Sequence, residues 1–270
     1  MKKIWFLFLG LISLLATSQE INRTDASGWR QGLWKKQYPT GKTMYEGSFR
    51  DNQPVGQWKR YHESGQLKAL LNYPETGDSV QAQLFDTSGK QIARGVYTDE
   101  KKAGNWLYFS EGKKIAEEYF VAGKKNGISR KFYPTGELLE EAEWKDDLRD
   151  GKYRTFFKNG KPYLECLYRN HARNGYCISY FPSGIPEVEA FYQDDLPEGE
   201  WKFFRENGTL NYTLQYRQGV LLNPEVLRKL DTQQLNDWEK NRDKLTDPEK
   251  FLSDPTNFFQ EKQQKGFSGR

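Results

Sequence analysis

Residues 151–175, GKYRTFFKNGKPYLECLYRNHARNG, decide the fold, because they open and close on glycines that recur along the chain. Glycines stand at 32, 56, 104, 127, 151, 175 and 199, in steps of 24, 48, 23, 24, 24 and 24. The double step hides one degenerate unit that starts at Val80. A second glycine column keeps the same phase: Gly41, Gly65, Gly89, Gly112, Gly136, Gly160, Gly184 and Gly208. A third column is aromatic in all eight units: Phe49, Tyr73, Tyr97, Phe120, Trp144, Tyr168, Tyr192 and Tyr216. Three columns in phase mark eight copies of one supersecondary unit over residues 32–222.

Inside a unit the signals are β. The first half is rich in aromatics, as in Gly56 to Tyr61 or Gly199 to Phe204. The middle is a turn such as Asn159-Gly160 or Ser183-Gly184; Asn-Gly tolerates positive φ at both positions, so a type I′ hairpin is expected. The second half is a strand ending on the aromatic column, and a polar linker such as Arg50 to Val55 leads to the next unit. With the turn centred there, the residue k places after the unit glycine faces the one 17−k places after it. Carried between units, this register sets Tyr168 across from Gly175, a ring over a strand glycine. It pairs Glu46 with Lys59, Glu117 with Arg130, Glu141 with Arg154 and Glu189 with Lys202, each ion pair contributing roughly 0.2–1 kcal/mol. It also sets Cys166 beside Cys177, and a cross-strand disulfide is the expectation against two reduced thiols.

Lys2 and Lys3, the apolar run from Ile4 to Leu15, and Ala16-Thr17-Ser18 read as a secretory signal over residues 1–18, with residues 19–31 leading into the repeats. The run is too short for a bilayer span, so no transmembrane segment is expected after cleavage. The product would be periplasmic, cell-surface or secreted, where a disulfide persists. Net charge is +4, two of it in that segment, and this near-neutral balance argues against a nucleic-acid binder. After Leu222 the pattern becomes helical over residues 223–259. Asn223 is the expected cap before Pro224 and Glu225, and Leu227, Leu230, Leu235, Trp238 and Leu245 form a stripe. A second short helix is expected from Asp247 with Phe251 and Leu252, then a disordered tail over residues 260–270. The helical segment either caps the last hairpin or docks a partner.

No catalytic constellation, cofactor motif or metal-ligand spacing stands out, and the two histidines, His62 and His171, lack spaced partners. An enzyme is therefore the least expected class. The candidate ligand-binding groups are aromatic. Trp34, Trp58, Trp106 and Trp201 share one position; Tyr61, Phe85, Phe109, Phe132, Phe156, Tyr180 and Phe204 share another, on the opposite face by strand alternation. They either form an exposed stripe for an extended ligand or shield a thin core.

The pattern Gly-x-Trp-x-x-Tyr/Phe, then x-Gly, Glu, an aromatic and a polar turn resembles the MORN repeat, in the bacterial variant of YwqK-family antitoxin-like proteins. The resemblance covers about residues 28–220. It implies an elongated, single-layer antiparallel sheet and a role in scaffolding or in binding proteins or lipid surfaces; with the repeat count and the helical segment read above, the expected fold is all-β, about eight repeated hairpins with a C-terminal helical cap. The expected function is that of an exported, non-enzymatic interaction module for a protein or cell-envelope component. A glycan-binding wall module, since short Gly-Trp-Tyr hairpins also resemble choline-binding repeats, and an antitoxin-like immunity protein are the alternatives.

Overall fold

Glycine at the start of seven of the eight units sets the path of the backbone. In the computed structural model, which describes residues 20–241, the eight units form one open antiparallel sheet of 19 strands, followed by a helix, α1 (Glu225–Asn241). Each long strand from Arg30–Gln37 to Leu210–Arg217 pairs with its neighbours in sequence. At the fifth unit the short Lys124–Lys125 and the strand Gly127–Phe132 both pair with Lys113–Val121. The segment expected to be a secretory signal, Leu245, the helix expected from Asp247 and the expected tail lie outside the described residues.

Within units the expected register holds: Gly32 faces Phe49, Gly56 faces Tyr73, Gly151 faces Tyr168 and Gly199 faces Tyr216. Between units it holds only as far as the acidic column. Glu46 faces Lys59, Glu117 faces Arg130, Glu141 faces Arg154, Glu189 faces Lys202, and Cys166 faces Cys177. Then it slips. Tyr168 lies across from Arg173, not Gly175, so Leu167 alone opposes the three residues Asn174 to Tyr176. This is a β-bulge, and its extra residues bring the unit glycine to positive φ, 64° at Gly56 and 120° at Gly175. Val80 resists that conformation. At its junction the ladder accordingly runs without a slip from Ala69–Leu84 to Asn72–Gln81.

The turns are the reverse of the expectation. At Asn159-Gly160 only the glycine has positive φ, and Phe157 N–H donates to Lys161 O at 2.9 Å; the loop has three residues, a type I turn closed by a left-handed glycine. The type I′ turns lie in the polar linkers, where Asp51-Asn52, Asp146-Asp147, Asn170-His171 and Asp194-Asp195 all have positive φ. Asn and Asp tolerate this region best among residues with a side chain. These junction turns also hydrogen-bond to one another's flanks: Asn52 N–H to Arg30 O at 3.1 Å, His171 N–H to Arg149 O at 2.8 Å, and Asp195 N–H to Arg173 O at 2.9 Å.

The core lies on one face. Phe49, Trp58, Leu71, Ala82, Trp106 and Phe120 belong to one buried cluster, continued along the sheet by Ala142, Cys166, Cys177, Ala190 and Leu214. Bulge and tryptophan fit together. A Cβ on Gly47 would fall 2.1 Å from the Trp58 ring, and one on Gly95 2.4 Å from the Trp106 ring, so each indole lies directly on the preceding unit's backbone. Its N–H donates to a carbonyl beside the bulge, at 3.0 Å from Trp58 to Ser48 O and from Trp106 to Val96 O, and at 3.1 Å from Trp201 to Phe191 O. In the seventh unit Cys177 takes the tryptophan position, and its disulfide to Cys166 links the units covalently.

Both sheet edges are closed by an asparagine amide. Asn22 Oδ1 accepts from Lys35 N–H at 2.8 Å while its Nδ2 donates to Lys35 O at 3.0 Å. At the other end Asn223 Oδ1 accepts from Gln215 N–H at 2.8 Å and its Nδ2 donates to Thr213 O at 3.1 Å. Asn223 therefore spends its side chain on the edge strand, not as the expected helix cap. The short strand Val220–Leu221 completes this edge. Only Val226, Leu227 and Leu230 of α1 are half-buried; Leu235 and Trp238 project into solvent. Capping is thus the work of residues 220–223 rather than of the helical stripe.

Two outcomes are expected. Replacing both Asn22 and Asn223 by alanine exposes paired backbone groups at each edge, so the apparent mass in light scattering should rise with concentration beyond that of the unmutated chain. Cys166→Ser with Cys177→Ser should lower the unfolding free energy by about 3 kcal/mol, from loss of a short closed loop, in denaturant titrations matched with and without reductant.

Candidate binding surface

Strand alternation gives the sheet two chemically distinct faces. The tryptophan position lies on the core face. Trp58 is 6% exposed and Trp106 0%, so these two proposed ligand-binding rings are packing elements with no face to offer. Trp34 and Trp201 are half-buried: Trp34 meets Phe49 edge-on at 5.6 Å, and Trp201 lies 5.0 Å from Tyr192.

Among the described residues nothing stacks a second layer on this face, and a column of cations covers it instead. Arg30 lies 3.9 Å from the Phe49 ring, Lys102 4.9 Å from Phe120, Lys125 4.9 Å from Trp144, Arg149 5.5 Å from Tyr168, and Arg173 3.9 Å from Tyr192. Each cation stands two residues before its unit start, in the linkers read only as polar. The aliphatic stems shield the rings while the charges sit on the ring faces. Burial pushes the Lys102 ammonium below its ordinary value, with Lys125 adding to the shift against the opposing pull of Glu118. The signal was a periodic basic residue, legible only once the bulge had brought it across from the aromatic column.

The second aromatic column lies on the opposite face, as alternation requires. Tyr61, Phe85, Phe109, Phe132, Phe156, Tyr180 and Phe204 are all half-buried. Most are occupied by charged neighbours. The Tyr61 hydroxyl donates to Glu46 at 2.7 Å and the Tyr180 hydroxyl to Glu165 at 2.8 Å; burial first, then these carboxylates, raises both phenols to about 12. Arg94 lies 5.4 Å from the Phe109 ring, Lys114 4.2 Å from Phe132 and Arg154 5.7 Å from Phe156.

Of the four expected ion pairs on this face, Glu117–Arg130 and Glu141–Arg154 form, and Arg130 bridges both glutamates. Burial pushes the Glu141 carboxyl up, but hydrogen bonds and charge from Arg154 and Arg130 outweigh it and hold the group below its ordinary value. Glu46 instead takes the Tyr61 hydroxyl and Lys35, and Lys202 turns to Glu200. Exposed pairs are so weak that a nearby alternative partner decides them.

The bare apolar surface on this face was not among the expected groups. Tyr176, 62% exposed, meets Phe191 edge-on at 5.1 Å, and Leu167 is exposed beside them. They occupy the positions adjoining the bulge, where the second unit carries Gln57 and Asn72, whose side chains hydrogen-bond at 3.4 Å. Lys152, Arg154 and Glu165 border the patch on one side, Glu189, Glu200 and Lys202 on the other. A switch from polar to aromatic at these two positions in the seventh unit was the available signal.

On the core face a cleft of 830 Å³ opens between the second and third units, with Leu71, Tyr73, Val80 and Tyr97 among its lining. Among the described residues no group of three or more His, Cys, Asp or Glu is placed to hold a metal ion, and no helix is long and apolar enough to cross a membrane.

Six segments match the family model described as MORN repeat variant: residues 30–51, 54–73, 125–146, 149–170, 173–194 and 197–218. The units beginning at Val80 and Gly104 fall outside them. No curated protein matches the chain. Solved structures resemble it weakly. A crystal structure of TarM aligns with a TM-score of 0.26 and 15% identity, over 38% of this chain and 21% of that one. A crystal structure of TcdB2-TccC3-TEV aligns with a TM-score of 0.20 and 11% identity, over 73% of this chain and 12% of that one. The chain spans about a fifth of the length of the first and about an eighth of the second, and at these scores neither likeness bears on fold or function. Through six of its eight units, the chain is similar to the MORN repeat variant.

Proposed function

We propose that the chain is an exported, non-enzymatic scaffold that binds a protein partner of the cell envelope across the outer face of its sixth to eighth units. The observation that carries this reading is the Leu167–Tyr176–Phe191 patch. It is apolar and set on paired strands, with Leu167 and Tyr176 exposed and Phe191 half-buried beside them, and it is bordered by charges of both signs. Exposed rings with few rotatable bonds at the centre of a charged surround are where binding energy concentrates in protein interfaces. An oxidising compartment fits the Cys166–Cys177 disulfide, as export would require. Extended sheets also present a broad surface without moving, so partner binding needs no ordering of the scaffold.

A photo-reactive phenylalanine analogue at position 176, expressed in the native host, should yield a discrete protein adduct after irradiation. Tyr176→Lys should weaken capture of that partner by about 2 kcal/mol, roughly thirtyfold. Retention of the chain by envelope polysaccharide, with no protein adduct at position 176, would show instead that the partner is a glycan.

A further inference from the structure

The repeat fails at one junction, and three departures coincide there. Val80 replaces the unit glycine, so the ladder between Leu67–Tyr73 and Ser79–Phe85 runs without a bulge. Ala82 takes the position of Trp58 and Trp106, leaving no indole over the preceding strand. The covering cation is also missing, because Pro54 and Asp78 stand two residues before the second and third unit starts. Among the described residues no cation lies over Tyr73 or Tyr97, the aromatic-column rings of these two units.

The result is the 830 Å³ cleft, inside the roughly 300–1,000 Å³ typical of small-molecule sites. Ala69, Leu71, Val80 and Leu84 give it an apolar floor, with Tyr73 and Tyr97 beside it. The neighbouring junctions show what such a space holds. Trp58 meets Phe49 edge-on at 4.7 Å and Tyr73 at 6.2 Å, and Trp106 meets Tyr97 at 4.9 Å. A planar aromatic ring is therefore the group that this face is built to accept between successive rings of the column. The charges are asymmetric. Arg60, Lys68 and His62 line the cleft near the hairpin turn, whereas Glu100 lies by the opposite junction turn. Arg60 and Lys68 take part in no ion pair among the described residues.

We infer that the cleft between the second and third units binds a small soluble aromatic carboxylate, with its ring in the place of the missing tryptophan and its carboxylate toward Arg60 and Lys68. This site lies on the face away from Tyr176 and stands or falls independently of the partner-binding surface. Both flanking aromatic rings come from the chain itself, so no second protein is needed to complete it.

Indole-3-propionate is the probe, titrated by calorimetry into the full chain. The expected result is saturable one-site binding with a Kd of about 1 mM or tighter. Arg60→Glu with Lys68→Glu, at two exposed positions, should weaken it about tenfold without changing thermal stability. Indole-3-propionamide, which lacks the charge, should bind several-fold more weakly than the acid. Leu71→Gly with Ala82→Trp rebuilds the Gly47–Trp58 arrangement and should abolish binding by filling the cleft. If that double variant misfolds, the charge-reversal pair and the amide still decide the matter. Lack of saturable binding, equal binding of acid and amide, or undiminished binding after charge reversal overturns the proposal. Adduct formation at position 176 is read separately, so loss of one result leaves the other intact.

Discussion

The backbone slip at the unit glycine is the constraint on which the sheet depends. At each regular junction one residue faces three, and only a residue at ease with positive φ can hold that geometry. The slip carries Trp58 and Trp106 back onto the preceding unit, where Gly47 and Gly95 leave room for the rings. It releases the carbonyl that the indole N–H takes up. It also moves the aromatic column across from the basic residue of the following linker, as Tyr168 faces Arg173. Glycine, tryptophan, ring and cation are thus one device repeated along the chain.

A single-layer sheet has no opposing layer to bury its apolar face, and the chain solves this within the layer. Rings lie against backbone rather than against a second sheet, and lysine and arginine stems close over them. Each cation on an exposed ring contributes about 0.5–1 kcal/mol, and more where water is excluded. Trp106 is the most protected case: Lys102 lies 4.6 Å from its ring, and the lysine Nζ donates to the Tyr108 hydroxyl at 2.8 Å. Where the seventh unit lacks the tryptophan, the Cys166–Cys177 bond holds the same pair of strand positions together. Junction turns that hydrogen-bond to their predecessors extend this interlock along the margin of the sheet.

The candidate binding features arise where the repeat departs from itself. Identical units present the same surface eight times and select no particular ligand. Val80, Ala82 and Pro54 break the packing device on one face and leave a cleft. Tyr176 and Phe191 replace polar residues on the other face, and the Tyr176 ring is left exposed. The columns of the sequence drew attention to the conserved-looking rings within the chain, Trp58 and Trp106 among them, and these proved to be core. Regularity within a repeat reports packing, since packing is what every unit must share.

The sequence by itself determined the unit, its count of eight, the hairpin pairing within each unit, and the contact between Cys166 and Cys177. Those features follow from period-two alternation and from local spacing, which the tertiary structure has no freedom to change. Past the Cys166–Cys177 pairing, the path between units was decided only in three dimensions. Whether Tyr168 meets Gly175 or Arg173 depends on the φ of a glycine, and a glycine in the chain does not announce which of its two conformations it adopts. Whether Asn223 caps a helix or a sheet edge, and whether Glu46 pairs with Lys59 or with Tyr61, turns on differences of about 1 kcal/mol between neighbouring partners. Competition between groups of similar strength is settled by distance, and distance is what folding supplies.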